Sequence, residues 1–113
     1  MTMRKVFDLL ALSGRKALVT GGAGHIALAV EETLLELGAS VAILDVDEAT
    51  CIQRQSYLAS STGADVGILT CDLTSEEDTR DAIRQSINIL GGLDIIIHCA
   101  AYVGTTETPG WAV

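Results

Sequence analysis

Residues 17–27, Ala-Leu-Val-Thr-Gly-Gly-Ala-Gly-His-Ile-Ala, pass from a short apolar run with β-branched character through three glycines into a segment of helical apolar spacing. That order predicts a strand, a tight turn and a helix, and it constrains the fold more than any other stretch. Glycine lets the backbone turn sharply and approach a ligand without a Cβ in the way, while the first free N–H groups of the helix and its positive dipole end face the same spot. A diphosphate fits there. The spacing Gly21-x-x-Gly24 is neither the Gly-x-Gly-x-x-Gly fingerprint nor the phosphate loop of nucleotide triphosphatases, which ends in Gly-Lys-Ser/Thr.

The rest of the chain repeats the alternation. Residues 1–15 are a lead-in, apolar over 7–12, and the polar turn Ser13-Gly14-Arg15-Lys16 hands over to a first strand at 16–20. After the glycine turn, Ile26, Val30, Leu34 and Leu37 fall on one helical stripe, with Glu31, Glu32 and Glu36 off it. Gly38 ends that helix, and residues 40–44 form a second strand closed by Asp45. A helix-compatible segment spans 47–61, Thr62-Gly63 stops it, and 65–70 is a third strand. Thr74 caps the last helix, with Glu77 completing a capping box and Glu76, Asp78 and Asp81 loading its positive end. Ala82, Ile83, Ile87 and Leu90 supply its buried stripe, Gly91-Gly92 terminates it, and 93–98 is a fourth strand.

Strands that are continuous apolar runs are covered on both faces, so the expectation is an α/β fold: a Rossmann-like, doubly wound parallel sheet in strand order 3-2-1-4, forming one domain over residues 1–113. Ligands of such sheets bind outside the carboxyl ends of the strands, where strand order reverses. The residues to watch are then 20–26, Asp45, Cys71-Asp72-Leu73 and 98–101.

Charge and cysteine usage narrow the function. Fifteen acids against seven bases give a formal net charge of −8, with the bases scattered, so a nucleic-acid groove is not expected. No signal peptide is read at the N-terminus, and the longest charge-free run, 17–30, is too short and glycine-rich for a membrane span. Cys51, Cys71 and Cys99 stand far apart without a Cys-x-x-Cys pair, which suits a reducing compartment; they read as small buried side chains, no metal site is assigned, and the expected location is cytoplasmic.

Asp45 lies 21 residues past Gly24 at the end of the second strand, where a carboxylate accepts hydrogen bonds from both ribose hydroxyls of an adenosine. A helix N-cap or a solvated strand end is the other reading of the same residue. As a ribose ligand its charge would repel a 2′-phosphate by ~4 kcal/mol at about 4 Å in an effective dielectric near 20. With Val46 following and no arginine in the glycine turn, NAD is favoured over NADP.

Together these stretches resemble the short-chain dehydrogenase/reductase family. Residues 20–27 look like its T-G-x-x-x-G-x-G turn, Asp72-Leu73 resembles its adenine-contacting Asp-hydrophobe pair, and 93–101, Leu-Asp-Ile-Ile-Ile-His-Cys-Ala-Ala, is similar to its D-I-L-V-N-N-A-G stretch beside the nicotinamide ribose. The resemblance implies the N-terminal, cofactor-binding half of an NAD(P)-dependent oxidoreductase acting on an alcohol or carbonyl compound. It implies cofactor contacts at Gly21, Gly24, His25 and Ile26 in the turn, at Asp45, at Asp72 and Leu73, and at Cys99, Ala100 and Ala101.

The chain departs from the family pattern at several of these positions. His25 and Ala27 stand where the second and third family glycines would be, with Gly24 one residue early. His25 either donates to a pyrophosphate oxygen or caps the turn in solvent; Ala27 adds a methyl where helix and strand pack closely. His98 and Cys99 replace paired asparagines, Ala101 replaces a glycine, and His98 is expected to find a backbone partner. The family's catalytic serine and Tyr-x-x-x-Lys have no counterpart: Ser61 and Thr106 stand four residues after Tyr57 and Tyr102. No catalytic residue is assigned, and the 113-residue chain alone is expected to be inactive.

Residues 102–113, with Pro109-Gly110-Trp111, read as a loop cut by truncation, and the sheet as incomplete relative to the family. Its fourth strand would then keep a bare outer edge, with Ile95, Ile96 and Ile97 partly covered, which invites self-association. Two alternatives to an oxidoreductase remain: a catalytically silent dinucleotide-binding or partner module, and a methyltransferase-like fold, which the 98–101 segment and Asp72-Leu73 disfavour.

Overall fold

The middle of the molecule is β1 (Lys16–Thr20), whose Ala17, Leu18 and Val19 are fully buried. In the computed structural model, which describes residues 6–100, it pairs in parallel with β2 (Ser40–Asp45) on one side and β4 (Ile95–His98) on the other. Ala17 faces Val41 and Ile95 in register, and β3 (Gly67–Thr70) pairs with β2 through Ile43 and Ile68. The sheet order is β3-β2-β1-β4, all parallel, as the apolar runs predict.

Alternation along β1 sorts the core into two layers. Ala17 and Val19, with Val41 and Ile43, pack under helices α2 (His25–Glu36) and α3 (Glu48–Thr62) through Ala27, Leu34, Cys51 and Leu58. Leu18, with Ala42, Leu44 and Leu69, packs under α4 (Glu76–Leu90) through Ala82 and Leu90. Each large side chain buried this way contributes roughly 1.5–3 kcal/mol. A five-residue helix, α1 (Val6–Leu10), precedes the sheet. Among the described residues no helix is long and apolar enough to cross a membrane.

Side-chain caps and left-handed glycines set the helix limits. Asp47 accepts from the N–H of Thr50 to start α3, and Gly63 ends it at φ +74°. Gly91 ends α4 at φ +79°. The cap of α4 is Ser75, accepting from Asp78 N–H at 3.3 Å, rather than Thr74 with Glu77. Thr74 instead turns back on Asp72, donating to Oδ1 from its N–H and its hydroxyl.

Two helical stripes also differ from expectation. On α2 the buried face is Ala27, Glu31 and Leu34, while Ile26 is 78% exposed; Glu31 enters the core because Arg54 meets it there. On α4 the buried set is Ala82, Ser86 and Leu90, with Ile87 on the exposed side. Ser86 is tolerated inside because its hydroxyl donates to the Ile83 carbonyl. The third and fourth strands begin two residues later than their apolar runs, at Gly67 and Ile95. Asp94 is taken up before β4 by accepting from the Lys16 N–H.

Candidate cofactor cleft

The carboxyl ends of all four strands open on one cleft of about 520 Å³. Gly21, Gly24, Asp45, Asp72, Leu73, Cys99 and Ala100 line it, joined by Leu44, Val46, Cys71, Thr74 and His98. Residues separated by up to 79 positions in sequence thus meet at one place. His25 and Ile26, also singled out from the sequence, begin α2 with exposed side chains and are not part of the lining. Ala101 and the 102–113 loop lie outside the described residues, as do residues 1–5.

The glycine turn owes its shape to two close approaches. At Gly21, φ is +65° and a Cβ would sit 2.6 Å from the Ala100 nitrogen, so the turn runs directly against the end of β4. At Gly22 a Cβ would lie 2.6 Å from Ile43 Cβ and 3.0 Å from the Val19 carbonyl. Gly24, by contrast, has the extended backbone φ −79°, ψ 169° that any residue adopts, so its freedom is not what restores the turn. Gly24 N–H closes the turn on the Gly21 carbonyl, and Gly22 N–H donates to Leu44 at the end of β2. Ala27 is fully buried where α2 meets the sheet, its methyl accommodated in the core.

Asp45 is neither a helix cap, since Asp47 does that, nor a free strand end. Its Oδ2 accepts the Ala23 N–H at 3.1 Å and its Oδ1 the N–H groups of Val46 and Asp47. A carboxylate has about four acceptor positions, so these three bonds leave it one. Asp72 is held below its ordinary pKa by the Thr74 hydroxyl and N–H. His98, expected to find a backbone partner, instead pairs through Nδ1 with the Thr20 hydroxyl at 2.6 Å. The backbone bond at that end comes from Cys99 N–H to the Thr20 carbonyl.

Burial pushes the Cys51 thiol up to about 11, with the charges of Asp45, Asp47 and Glu31 adding to the effect, and burial raises Cys71 as well. Neither forms a thiolate nucleophile at neutral pH. Among the described residues no group of three His, Cys, Asp or Glu is placed to hold a metal ion.

Two residues passed over in the sequence stand behind the turn. Arg54 Nη1 donates to Glu31 Oε1 and to the Gly22 carbonyl, both at 2.9 Å, and Nη2 donates to the carbonyls of Ala23 and Gly24. Arg54 is the only lysine or arginine between Lys16 and Arg80, which is the one signal in the sequence that sets it apart; Glu31 carries none.

With the geometry in place, the comparisons with known proteins agree with one another. Residues 21–111 match the family described as enoyl-(acyl carrier protein) reductase. An oxidoreductase of Thermotoga maritima is 32% identical over 90 residues, which is 80% of this chain and 35% of that protein. A short-chain type dehydrogenase/reductase from Mycobacterium marinum superposes with a TM-score of 0.82 at 31% identity, covering 91% of this chain and 41% of that one. NAD+-bound xylitol dehydrogenase gives 0.77 at 29% identity, covering 82% and 35%. The NADPH-dependent 3-quinuclidinone reductase of Rhodotorula rubra gives 0.75 at 30% identity, covering 85% and 36%. The chain spans about a third of the length of the curated relatives it matches.

Proposed function

This chain belongs to the short-chain dehydrogenase/reductase family, and from that premise we propose that it is the dinucleotide-binding portion of an NAD-dependent oxidoreductase acting on an alcohol or carbonyl compound. The observation that carries the reading is the state of α2's first turn. Asp47 and Ser75 cap α3 and α4, and acidic residues stand in the first turns of both; Gly24 offers α2 no side-chain cap and its first turn holds no acid. Its N–H groups and positive dipole end are left for an anion at the mouth of the cleft.

In this reading the turn at Gly21 and Gly24, with the N–H groups at His25 and Ile26, takes the diphosphate. Asp45 accepts from the adenosine ribose through its remaining acceptor position, Asp72 and Leu73 border the adenine, and Cys99, Ala100 and Ala101 border the nicotinamide ribose. The cleft, at about 520 Å³, is within the size range of small-molecule sites. A bound nicotinamide supplies or accepts hydride; the residues of this chain bind and orient it. No side chain here is assigned the proton transfer, for which the resemblance implies a Tyr-x-x-x-Lys pair that this sequence lacks. The unpaired cysteines support a reducing, cytoplasmic setting.

NAD is preferred over NADP because a 2′-phosphate would meet the Asp45 carboxylate. The test is a titration of the purified chain with NADH, with NADPH and S-adenosylmethionine as controls. Saturable NADH binding that is weakened in Asp45→Ala supports the reading; equal or tighter NADPH binding overturns the cofactor preference, and no dinucleotide binding by folded protein overturns the function.

A second reading, a silent module that associates through its sheet, is favoured by Ile96, which is 55% exposed on β4. Sedimentation at increasing concentration separates the two.

A further inference from the structure

The arrangement behind the glycine turn has no role in the cleft as described. Arg54 spends all four of its terminal N–H groups on the carbonyls of three consecutive residues, Gly22, Ala23 and Gly24, and on Glu31 Oε1. Glu31 is fully buried; its other oxygen, Oε2, has no hydrogen-bond partner and lies 3.1 Å from where a Cβ of Gly22 would be. A carboxylate on a helix stripe between Ala27 and Leu34 is a poor core filler, because desolvating it costs more than an apolar side chain would. Its place is explained by what it holds.

A trans peptide sets its N–H opposite its C=O. Carbonyls drawn to Arg54 therefore send the N–H groups of Ala23, Gly24 and His25 the other way. The first goes to Asp45 and the second to the Gly21 carbonyl, which closes the turn. The third begins the free donors of α2. Without the guanidinium, three carbonyl dipoles would compete for water or rotate, and the donors would rotate with them.

Resting on the dinucleotide reading above, we propose that Arg54, anchored by Glu31, is a positioning residue: it fixes the shape of the turn, aims the His25 N–H at the start of α2 toward a bound diphosphate, and places a positive charge behind it.

The charge of the pair depends on Glu31. Burial pushes its pKa up to about 7, opposed by the hydrogen bond and charge of Arg54 and reinforced by the charges of Asp45 and Glu32. Ionised, Glu31 cancels Arg54; protonated, it leaves the guanidinium uncompensated. A diphosphate arriving in the turn acts on Glu31 in the same sense as Asp45 and draws a proton onto it. Of the other groups around the pair, Cys51 stays a thiol and Asp47 stays ionised, and the His25 side chain is exposed at the start of α2.

The test is calorimetric titration of the 113-residue chain with NADH and with ADP near pH 7.5, in two buffers of different ionisation enthalpy, for the natural protein and for Glu31→Gln, His25→Asn and Arg54→Lys. Net proton uptake that disappears in Glu31→Gln and persists in His25→Asn is expected, together with about a tenfold loss of NADH and ADP affinity in Arg54→Lys. Uptake that survives Glu31→Gln, or an Arg54→Lys variant that binds as the natural protein does, overturns the proposal; if Arg54→Lys fails to fold by circular dichroism, NADH and ADP affinity in Arg54→Gln decides. Amide exchange at residues 22–25 in ligand-free protein separates the two layers of inference. A chain that binds neither NADH nor ADP while Arg54→Lys speeds exchange at the turn loses the dinucleotide reading and keeps the clasp. Unchanged exchange removes Arg54's hold on the turn, and removes the dinucleotide reading with it only where NADH and ADP also fail to bind.

Discussion

The N–H of Ala23 donates to Oδ2 of Asp45 at 3.1 Å, so the carboxylate that ends β2 also holds the turn that follows β1. In the proposed reading, specificity for ribose and the shape of the diphosphate turn therefore share one side chain. Asp45→Ala is expected to lower NADH affinity by more than tenfold and to destabilise the fold by ~1–2 kcal/mol, the usual cost of orphaning a partly buried N–H. Asp45→Asn keeps an acceptor and removes the charge, so it should bring NADPH binding closer to NADH. Calorimetry and urea denaturation on the two variants check both; an Asp45→Asn variant with unchanged NADH-to-NADPH ratio would remove the charge argument.

Gly21 and Gly24 carry different burdens although the sequence pairs them. Alanine at Gly21 meets both a φ of +65° and the Ala100 nitrogen at 2.6 Å, a backbone atom that cannot swing aside. Gly21→Ala should cost ~2–4 kcal/mol, with strain and overpacking acting together. At Gly24 a Cβ would have only the Gly21 carbonyl within 4 Å, at 3.3 Å, and the backbone is extended. Gly24→Ala should lie within about 1 kcal/mol of the natural chain in denaturation. Equal destabilisation of the two variants would contradict the turn geometry.

Much of this was legible in the sequence because it rests on local signals of one kind. Continuous apolar runs at 16–20 and 40–45 identify central parallel strands, and Gly63 and Gly91 stop helices for a reason carried by glycine alone. What was not legible depends on partners far along the chain. Glu31 reads as surface by its charge, and only Arg54, 23 residues on, makes its burial possible. Ile26 reads as core by its position after the turn, yet the one-residue rotation that buries Ala27 exposes it. Thr74 and Ser75 are both competent caps, and Asp72 decides between them by taking the threonine.

The β4 edge offers a direct test of self-association. Ile96 is exposed on a strand whose outer side pairs with nothing among the described residues. Ile96→Lys should leave stability within about 0.5 kcal/mol, as exposed substitutions do, and should abolish any concentration-dependent assembly that uses this edge. Sedimentation velocity across a range of concentrations reads it; assembly unaffected by the lysine would place the interface elsewhere.

Stability should depend on pH through Glu31 with a sign opposite to that of an ordinary ion-paired carboxylate. Its pKa is 4.5 in the unfolded chain and about 7 in the folded one, so between those values the folded state holds a proton that the unfolded state has released. Stability from this group is then fully present below about pH 4.5 and is lost as pH rises through 7. The whole span is worth on the order of 3 kcal/mol. Asp47 and Asp72, whose pKa values are lowered, act in the other direction and at more acid pH, losing their contribution as pH falls. Glu31→Gln removes the ionisation and keeps an acceptor for Arg54, so it should match the natural chain near pH 5 and exceed it in stability near pH 8. Urea denaturation at those two pH values measures the difference. A natural chain whose stability rises from pH 5 to pH 8 as steeply as that of Glu31→Gln would mean that Arg54 holds Glu31 ionised throughout, and that the proton linkage at the turn does not exist.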